Sequence, residues 1–185
     1  MQPVGQLEKM VVASSMLNTK QTGFSLVEMM VVVAIIGIAA SIAAPSHTAW
    51  IQNSCIRAST ESILNGMQKA RSEALRSNAR VRFAVAADAS WSFACVNAAT
   101  CTALPESSPP EPTGDITVST NNGNLIVTFT NLGTRDNPAI EFNRATVDNS
   151  AMAPADSREL AVNVGAGGNV KMCNPNVTAP DSRAC

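Results

Sequence analysis

The chain has few of the residues on which nucleic-acid binding and much catalysis depend. Its 185 residues include no tyrosine and one histidine, and aromatic side chains make up 4% of the total. Base-stacking platforms for nucleic acid therefore have little support. The formal net charge of -1 creates no global field that would attract nucleic acid or anionic lipid. An apolar content of 45% suits one domain with an appendage, with a core of Ala, Val, Ile and Leu.

The usual sequence patterns of metal and catalytic sites are also missing. No two cysteines form a CxxC pair, and the only histidine, His47, lies near Cys55 alone, so a zinc site has poor support. The aspartates are scattered over turn-like segments without the spacing of a calcium loop. The sequence contains no nucleophile with a base, no phosphate loop and no cofactor fingerprint. We therefore predict a protein that is not an enzyme and needs neither a metal nor a cofactor.

The five cysteines include two closely spaced pairs. Cys95 and Cys101 enclose VNAAT, and Cys173 and Cys185 enclose NPNVTAPDSRA, whose Pro, Asn and Asp content is typical of a loop. In an exported protein this spacing favours two local disulfides with Cys55 left over, whereas in a cytosolic protein all five would be reduced thiols. The choice depends on the N-terminus.

A long apolar run follows a polar N-terminal stretch. Residues 24–44 carry one charged side chain, Glu28. A helix of this length covers about 30 Å, the thickness of a bilayer core, and the alternatives are a secretory signal peptide or a buried core helix. Pro45 follows the run directly, so the helix is continuous, kinked or broken there.

The acid in this run needs a partner, because a carboxylate in hydrocarbon is costly and usually marks a function. The nearest basic residues in sequence, Lys20 and Arg57, are too far away to neutralise Glu28. Either the acid is protonated, or it lies at headgroup depth, or its partner belongs to another molecule. Cleavage after Gly23 would create an ammonium group at Phe24, one helical turn from Glu28, which suits pairing between neighbouring copies of the helix.

Beyond the run the apolar residues become periodic, which predicts an amphipathic helix over residues 47–78 that needs a partner surface. Its apolar positions recur at spacings of three, four and seven: Ile56, Ile63, Met67, Ala70 and Ala74. His47 and Trp50, just beyond the run, suit a membrane interface or packing within a helix bundle.

The end of this helix is rich in basic residues: Lys69, Arg71, Arg76, Arg80 and Arg82. They could bind a neighbouring subunit or nucleic acid, but with Glu73 among them we expect most to be solvated. Glu73 lies at helical-neighbour spacing from both Lys69 and Arg76.

From about residue 80 the period changes to two, which predicts strands. The predicted strands cover residues 79–87, 91–96, 115–119, 124–130, 139–143, 159–164 and 168–173. The Pro-rich, acidic stretch 102–114 is predicted to be a loop that cannot join a sheet. The predicted fold class is α+β, a long N-terminal helix whose amphipathic half packs on a mostly antiparallel β domain.

The segment GFSLVEMMVVVAIIGIAASIAAP resembles the class III signal of type IV prepilins and of the pseudopilins of type II secretion. In those families a short basic leader ends in Gly, a Phe becomes the N-terminus, a Glu follows four residues later, and the apolar helix has a Pro near its end. Gly23, Phe24, Glu28 and Pro45 match this pattern. A start at Met16 would give the short leader typical of the class.

The resemblance implies that the subunit is first processed in the membrane and then assembled into a filament. A prepilin peptidase would cut between Gly23 and Phe24 on the cytoplasmic side and methylate the new amine of Phe24. The subunit would wait in the bacterial inner membrane with its globular part in the periplasm, an orientation with which Lys20 agrees. Glu28 would then pair with a neighbour's N-terminus as the subunit enters a filament. The implied partners are the peptidase, an inner-membrane assembly platform and other pilins.

Two further segments resemble the GspH/FimT group of minor pilins and minor pseudopilins: QKARSEALRSNARVRF at 68–83 and VGAGGNVKMCNPNVTAPDSRAC at 164–185. The resemblance implies a structural minor pilin that helps to initiate or cap a type IV pilus. The alternatives are a minor pseudopilin of a type II secretion system and a DNA-binding minor pilin for natural transformation.

Some members of this group bind DNA through a basic GRxR-like motif at the C-terminal turn. Residues 168–171 here are GNVK, so both arginine positions are altered and one positive charge remains. Arg158, Lys171 and Arg183 are the candidate DNA contacts, but as ordinary solvated charges they would have no such role. We expect nucleic acid not to be a partner.

The exported topology that the resemblance implies favours the disulfides Cys95–Cys101 and Cys173–Cys185, with Cys55 as a buried free thiol on the helix. A swapped pairing of Cys101 with Cys173 stays open, because spacing does not fix connectivity. The implied divisions are a cleaved leader (1–23), an apolar membrane and filament helix (24–45), an amphipathic periplasmic helix (46–79) and a β-rich domain (80–185).

Overall fold

The computed structural model of the protein describes residues 23–97, 101, 105–110 and 115–185, and of residues 43–46 it describes the backbone. These residues form one helix and eight strands: α1 (Leu26–Ser77), β1 (Val81–Val85), β2 (Trp91–Cys95), β3 (Glu106–Ser108), β4 (Ile116–Thr120), β5 (Ile126–Phe129), β6 (Arg144–Asn149), β7 (Leu160–Val164) and β8 (Val170–Cys173). The predicted α+β class is confirmed, because one long helix precedes strands that pair antiparallel.

The chain divides into two compact units, Met1–Ser41 and Ile42–Cys185. In the first unit every described residue is exposed. In the second unit the predicted apolar stripe of α1 is buried, since Ile56, Ile63 and Met67 have no exposed surface. The amphipathic helix therefore lies where its periodicity predicts, and it ends at Ser77.

The strands form two four-stranded sheets, with the orders β3-β2-β1-β5 and β4-β6-β7-β8. Alternate residues of β1 point inward, so Val81, Phe83 and Val85 are buried while Arg82 is exposed. The inward side chains of both sheets and the apolar stripe of α1 form one core. Burial of this apolar surface is the main driving force for folding of the second unit.

Trp91 of β2 fixes the helix against the first sheet. Its indole N–H donates a hydrogen bond to the Ser62 hydroxyl at 3.0 Å, and its ring stacks with those of Phe83 and Phe93 at centroid distances of 5.8 and 6.1 Å. A Cβ atom at Gly66 would lie 2.7 Å from the Trp91 ring. The ring therefore packs on the bare backbone of α1, which only glycine permits.

One predicted strand is wrong. Residues 139–143 form no strand, and β6 begins one residue later, at Arg144. The backbone N–H of Glu141 bonds the Asn137 carbonyl, which holds this segment in a turn. Glu141 is buried because its carboxylate accepts hydrogen bonds from the backbone N–H groups of Thr128 and Asn137. The alternation of Ile140 and Phe142 suggested a strand, but Ile140 is exposed and only Phe142 is buried.

The Pro-rich stretch also differs from the prediction, because part of it joins a sheet. Residues 106–108 form β3, which pairs antiparallel with β2. Pro105 and Pro109 flank this strand, and β3 is an edge strand with one paired side, so no proline has to donate to the ladder. The rest of the predicted loop, residues 102–104 and 111–114, lies outside the described residues.

Candidate functional site

The N-terminal segment begins α1 with a cap and an acid. The Ser25 hydroxyl accepts a hydrogen bond from the backbone N–H of Glu28 at 3.1 Å, as an N-cap residue does. Glu28 lies in the first turn, where the helix dipole favours a negative charge. Within the described residues, the Glu28 carboxylate has no hydrogen bond or ion pair. The predicted leader residues Met16 and Lys20 lie outside them.

The apolar side chains that follow Glu28 are exposed. The exposed fraction is 65% for Met30, 61% for Ile35 and 74% for Ile42. A contiguous apolar surface of this extent is rare on monomeric soluble proteins and marks an interaction surface. Within the described chain, no single helix meets the length and hydropathy needed to cross a membrane, whereas Leu26–Ile42 and His47–Ser77 meet them taken together.

The structure contains both local disulfides and leaves Cys55 as a free, half-buried thiol. The Cα atoms are 6.1 Å apart in Cys95–Cys101 and 5.0 Å apart in Cys173–Cys185. The second bond ties the C-terminus to the end of β8, where the Asn174 N–H also bonds the Arg183 carbonyl at 2.7 Å. The C-terminal loop is therefore closed at the edge of the second sheet.

The C-terminal turn before β8 is held to the helix by Arg71. The Arg71 Nε donates to the Gly133 carbonyl at 2.9 Å, and its guanidinium also reaches the Gly167 carbonyl at 3.5 Å. Gly168 has a φ of 75°, and a Cβ atom there would lie 1.8 Å from the Gly133 carbonyl oxygen. Arg71, which we expected among the solvated charges of the helix end, instead links α1 to two loops.

The other charges of the helix end lie at the surface, and several have acidic partners. Lys69 pairs with Glu106 of β3 and not with Glu73. Glu73 pairs with Arg76, and the hydrogen bonds from that guanidinium lower the pKa of the carboxyl. Arg80 pairs with Asp136. Helical spacing identified one of these pairs, whereas the two others join segments that are distant in sequence.

The structure places the three candidate DNA contacts in different settings. Arg158 and Arg183 line the same groove, whereas Lys171 is not among its lining residues and donates to the Ala184 carbonyl at 3.4 Å. Arg183 forms a bidentate pair with Asp181, which lowers the pKa of that carboxyl to about 2. Arg158 is exposed, and its guanidinium has no hydrogen bond or ion pair within the part of the chain that the structure describes.

This groove, which we call the arginine groove, has a volume of about 620 Å³ and lies between the first turns of α1 after residue 47 and the edge of the second sheet. Its main lining residues are Trp50, Arg57, Arg158, Leu160, Met172 and Arg183. The sequence analysis did not assign Arg57 to any site. The spacing of Trp50, Asn53 and Arg57 could have placed them on one helix face, but not beside Arg158.

Asn53 connects the two sides of the arginine groove. Its side-chain amide donates to the backbone carbonyl of Asp156 at 3.0 Å, and its side-chain oxygen accepts from the backbone N–H of Arg158 at 2.8 Å. The segment that carries Arg158 is therefore fixed against α1, more than 100 residues away in sequence.

The chain matches two family models. The prokaryotic N-terminal methylation motif matches residues 18–44, and the model described as type II transport protein GspH matches residues 59–168, which is 110 of 185 residues. No curated protein matches the chain. The methylation motif implies processing by a prepilin peptidase and assembly with other pilins, and with the apolar helix it is consistent with anchoring in the inner membrane before assembly.

Two solved structures have a similar fold. Both are crystal structures of the type IV minor pilin FimU of Pseudomonas aeruginosa, in two space groups, and each is 14% identical to this chain. The first has a TM-score of 0.54 and covers 71% of this chain and 98% of FimU, and the second has a TM-score of 0.50 and covers 68% and 98%. Because the GspH match spans more than half of the sequence, the chain belongs to the GspH family of type IV pilin-like minor pilins and minor pseudopilins, which are structural subunits and not enzymes.

Proposed function

We propose that the chain is a structural minor pilin of a type IV pilus, cut by a prepilin peptidase between Gly23 and Phe24, and that it helps to initiate or cap pilus assembly. The observation that carries the proposal is the exposed apolar half of α1, which begins beside the cleavage position and has no covering partner among the described residues. Such a surface is stable in lipid or among other helices of the same kind.

Cleavage supplies the partner that Glu28 lacks. The new α-amino group of Phe24 is positive near neutral pH, and a neighbouring carboxylate favours this charged form. In the low-dielectric interior of a helix bundle, an ammonium group and a carboxylate of neighbouring subunits attract each other strongly, and an unpaired Glu28 would be costly. A subunit would therefore enter the filament in the register that joins its Glu28 to a neighbour's N-terminus. The β domain supplies lateral contacts, and no bond is made or broken during docking.

The pairing role is tested by Glu28→Val. The variant should insert into the membrane and be cut normally, because valine is apolar and the cleavage position is unchanged. It should fail to enter pili, which an immunoblot of sheared pili would show. The matched control is Glu61→Val. Glu61 is an acid in the second half of α1 that pairs with Arg57 at the surface, so this variant should assemble normally. Normal assembly of the Glu28→Val subunit would refute the pairing.

The cleavage position is tested by replacing Gly23 with a bulky residue such as leucine. Uncut precursor should then accumulate in the membrane fraction, with the leader still attached by mass spectrometry. A mature chain that begins at Phe24 in this variant would show that the cut does not depend on Gly23. A parent chain that keeps its leader would remove the basis for the proposed processing and for methylation of Phe24.

A minor pseudopilin of a type II secretion system is the second candidate, and the match to the type II transport protein GspH favours it. The described fold serves either machine, so the test is genetic. Deletion of the gene should abolish surface pili and leave protein secretion intact if the chain is a minor pilin. Loss of secretion with normal pili would assign it to the secretion system.

A DNA receptor is the third candidate, and it rests on Arg158, Lys171 and Arg183. A gel-shift titration with a short DNA duplex at moderate salt tests it, because phosphate contacts dominate such affinity. We expect no shift from a structural subunit, and a shift that Lys171→Gln abolishes would favour the receptor.

A further inference from the structure

We infer that the arginine groove binds the phosphate headgroup of an anionic phospholipid, and so holds the second unit against the periplasmic surface of the inner membrane before assembly. The inference rests on the proposed function, since it needs the apolar half of α1 to lie in that membrane. The groove would be a lipid-binding site in addition to the cleavage and pairing that the prepilin signal implies.

The charges of the groove suit an anion. Three arginines and no carboxylate occur among the described residues that line it. The Arg158 guanidinium is free within the described residues, and a guanidinium matches a phosphate with two parallel hydrogen bonds. Phosphate can therefore bind there without displacing an existing partner of Arg158.

The other two arginines already have acidic partners, but these are exchangeable. The Arg57 side chain is 71% exposed in its pair with Glu61, and the Arg183 side chain is 72% exposed in its pair with Asp181. Exposed ion pairs of this kind contribute about 0–1 kcal/mol, so a phosphate that gains several guanidinium contacts can compete for them.

The size and the apolar lining suit a lipid headgroup. Small-ligand pockets measure about 300–1,000 Å³, and the groove has about 620 Å³. Leu160 and Met172 give the groove apolar surface beside the arginines. Trp50 at its rim is 66% exposed and stacks with His47 at a centroid distance of 6.1 Å. A tryptophan with an apolar body and a polar N–H favours the membrane–water interface.

The position along the chain selects a membrane over a neighbouring protein. Trp50 is five residues from Pro45, where the apolar run ends. Five residues span at most about 18 Å even when fully extended. The Trp50 side of the groove therefore remains within about this distance of the end of the apolar run. An acidic segment of another subunit would also suit the charges, but before assembly no such segment is fixed beside Trp50, whereas the end of the apolar run is.

The test uses the full mature chain in phosphatidylcholine nanodiscs that contain increasing mole fractions of phosphatidylglycerol with brominated acyl chains. Bromine quenches tryptophan at short range, so Trp50 reports lipid in the groove. The buried Trp91 supplies the background, which the Trp50→Phe variant measures. We expect half-maximal quenching at a lower mole fraction of brominated phosphatidylglycerol than of brominated phosphatidylcholine.

The groove variants are Arg57→Gln, Arg158→Gln and Arg183→Gln, singly and together. Because a basic residue near an anionic surface contributes about 1 kcal/mol, each should raise the half-maximal mole fraction by about fivefold. Arg82→Gln, which removes the same charge from an exposed position of β1 outside the groove, should leave the titration unchanged. Added salt should weaken quenching of the parent chain more than that of the triple variant.

Equal quenching by the two brominated lipids, or an unchanged titration in the triple variant, would overturn the inference. If the two brominated lipids quench equally and the triple variant fails to assemble, the groove binds a neighbouring subunit. If the chain binds a short DNA duplex more tightly than phosphatidylglycerol, the groove binds nucleic acid. Cleavage at Gly23 and assembly of Glu28→Val are measured separately. A negative result for lipid binding by the groove therefore does not contradict the proposed function. A chain that is not cleaved would contradict both the proposed function and the lipid site.

Discussion

The two halves of helix α1 use the same residue types in opposite ways. In the first half, isoleucine, valine and methionine cover every face, and all of their described side chains are exposed. In the second half, apolar residues occupy one stripe that is buried against the two sheets. Glu28 has no partner within the described chain, whereas Arg57 and Arg76 have acidic neighbours on their own helix. The difference is that the second half packs on its own β domain, whereas nothing among the described residues covers the first half.

The largest expected effect is a difference between two Ile→Ala substitutions. Ile63 has no exposed surface, so Ile63→Ala should lower the free energy of unfolding by about 2–5 kcal/mol through lost burial and a cavity. Ile36 is 60% exposed, and Ile36→Ala should change it by less than about 0.5 kcal/mol. Guanidinium unfolding of the detergent-solubilised chain, followed by fluorescence, measures both. Equal losses would show that the first half also packs within the chain.

A second contrast concerns neighbouring glycines of the C-terminal turn. Gly168→Ala should lower the free energy of unfolding by about 1–3 kcal/mol through the clash with the Gly133 carbonyl, and by about 1 kcal/mol more because its φ of 75° disfavours alanine. Gly167→Ala meets no atom within 4 Å and should be close to neutral. The same unfolding measurement applies. A neutral Gly168→Ala would mean that the contact of this turn with Gly133 and Arg71 is not tight.

The third contrast uses one glycine from each half of α1. Gly66→Ala places a methyl group 2.7 Å from the Trp91 ring, and about 1–3 kcal/mol of overpacking outweighs a gain of about 1 kcal/mol in helix propensity. Gly37→Ala has open space around it, so only the gain in helix propensity remains. We expect loss of unfolding free energy and a shift of the Trp91 emission in the first variant alone. A stabilised Gly66→Ala would show that the ring can move aside.

The smallest expected effect is a pH dependence of the C-terminal loop. Hydrogen bonds from Arg183 hold the pKa of Asp181 at about 2, below its ordinary value of 3.8. Because the folded chain binds this proton less readily than the unfolded chain, the stabilisation is complete above the ordinary value and is lost as the pH falls toward 2. An NMR titration of Asp181 should show the low midpoint, and Arg183→Gln should return it toward the ordinary value. An unchanged midpoint would exclude the Arg183 guanidinium as the cause.

Local patterns predicted the helix and most strands because each depends on a period within one segment. The errors arise where a local period is not enough, since Ile140 and Phe142 alternate as in a strand although Ile140 is exposed and only Phe142 is buried, beside a turn. Likewise, β3 exists only because β2 offers an open edge beside Glu106. The sequence could not show the turn at residues 139–143 or the open edge of β2. The Cys95–Cys101 and Cys173–Cys185 bonds join near neighbours, which is why spacing together with an exported topology pointed to them.

The sequence by itself determined the membership of the chain in its family, the apolar run with Glu28 near its start, and the α+β class. These follow from composition and from short-range order, which the folded state does not change. Only the tertiary structure decided that Arg71 bonds the carbonyls of Gly133 and Gly167, and that Arg57, Arg158 and Arg183 line one groove. Those residues are brought together by the packing of α1 on two sheets, and the burial of apolar surface that drives this packing depends on the whole fold.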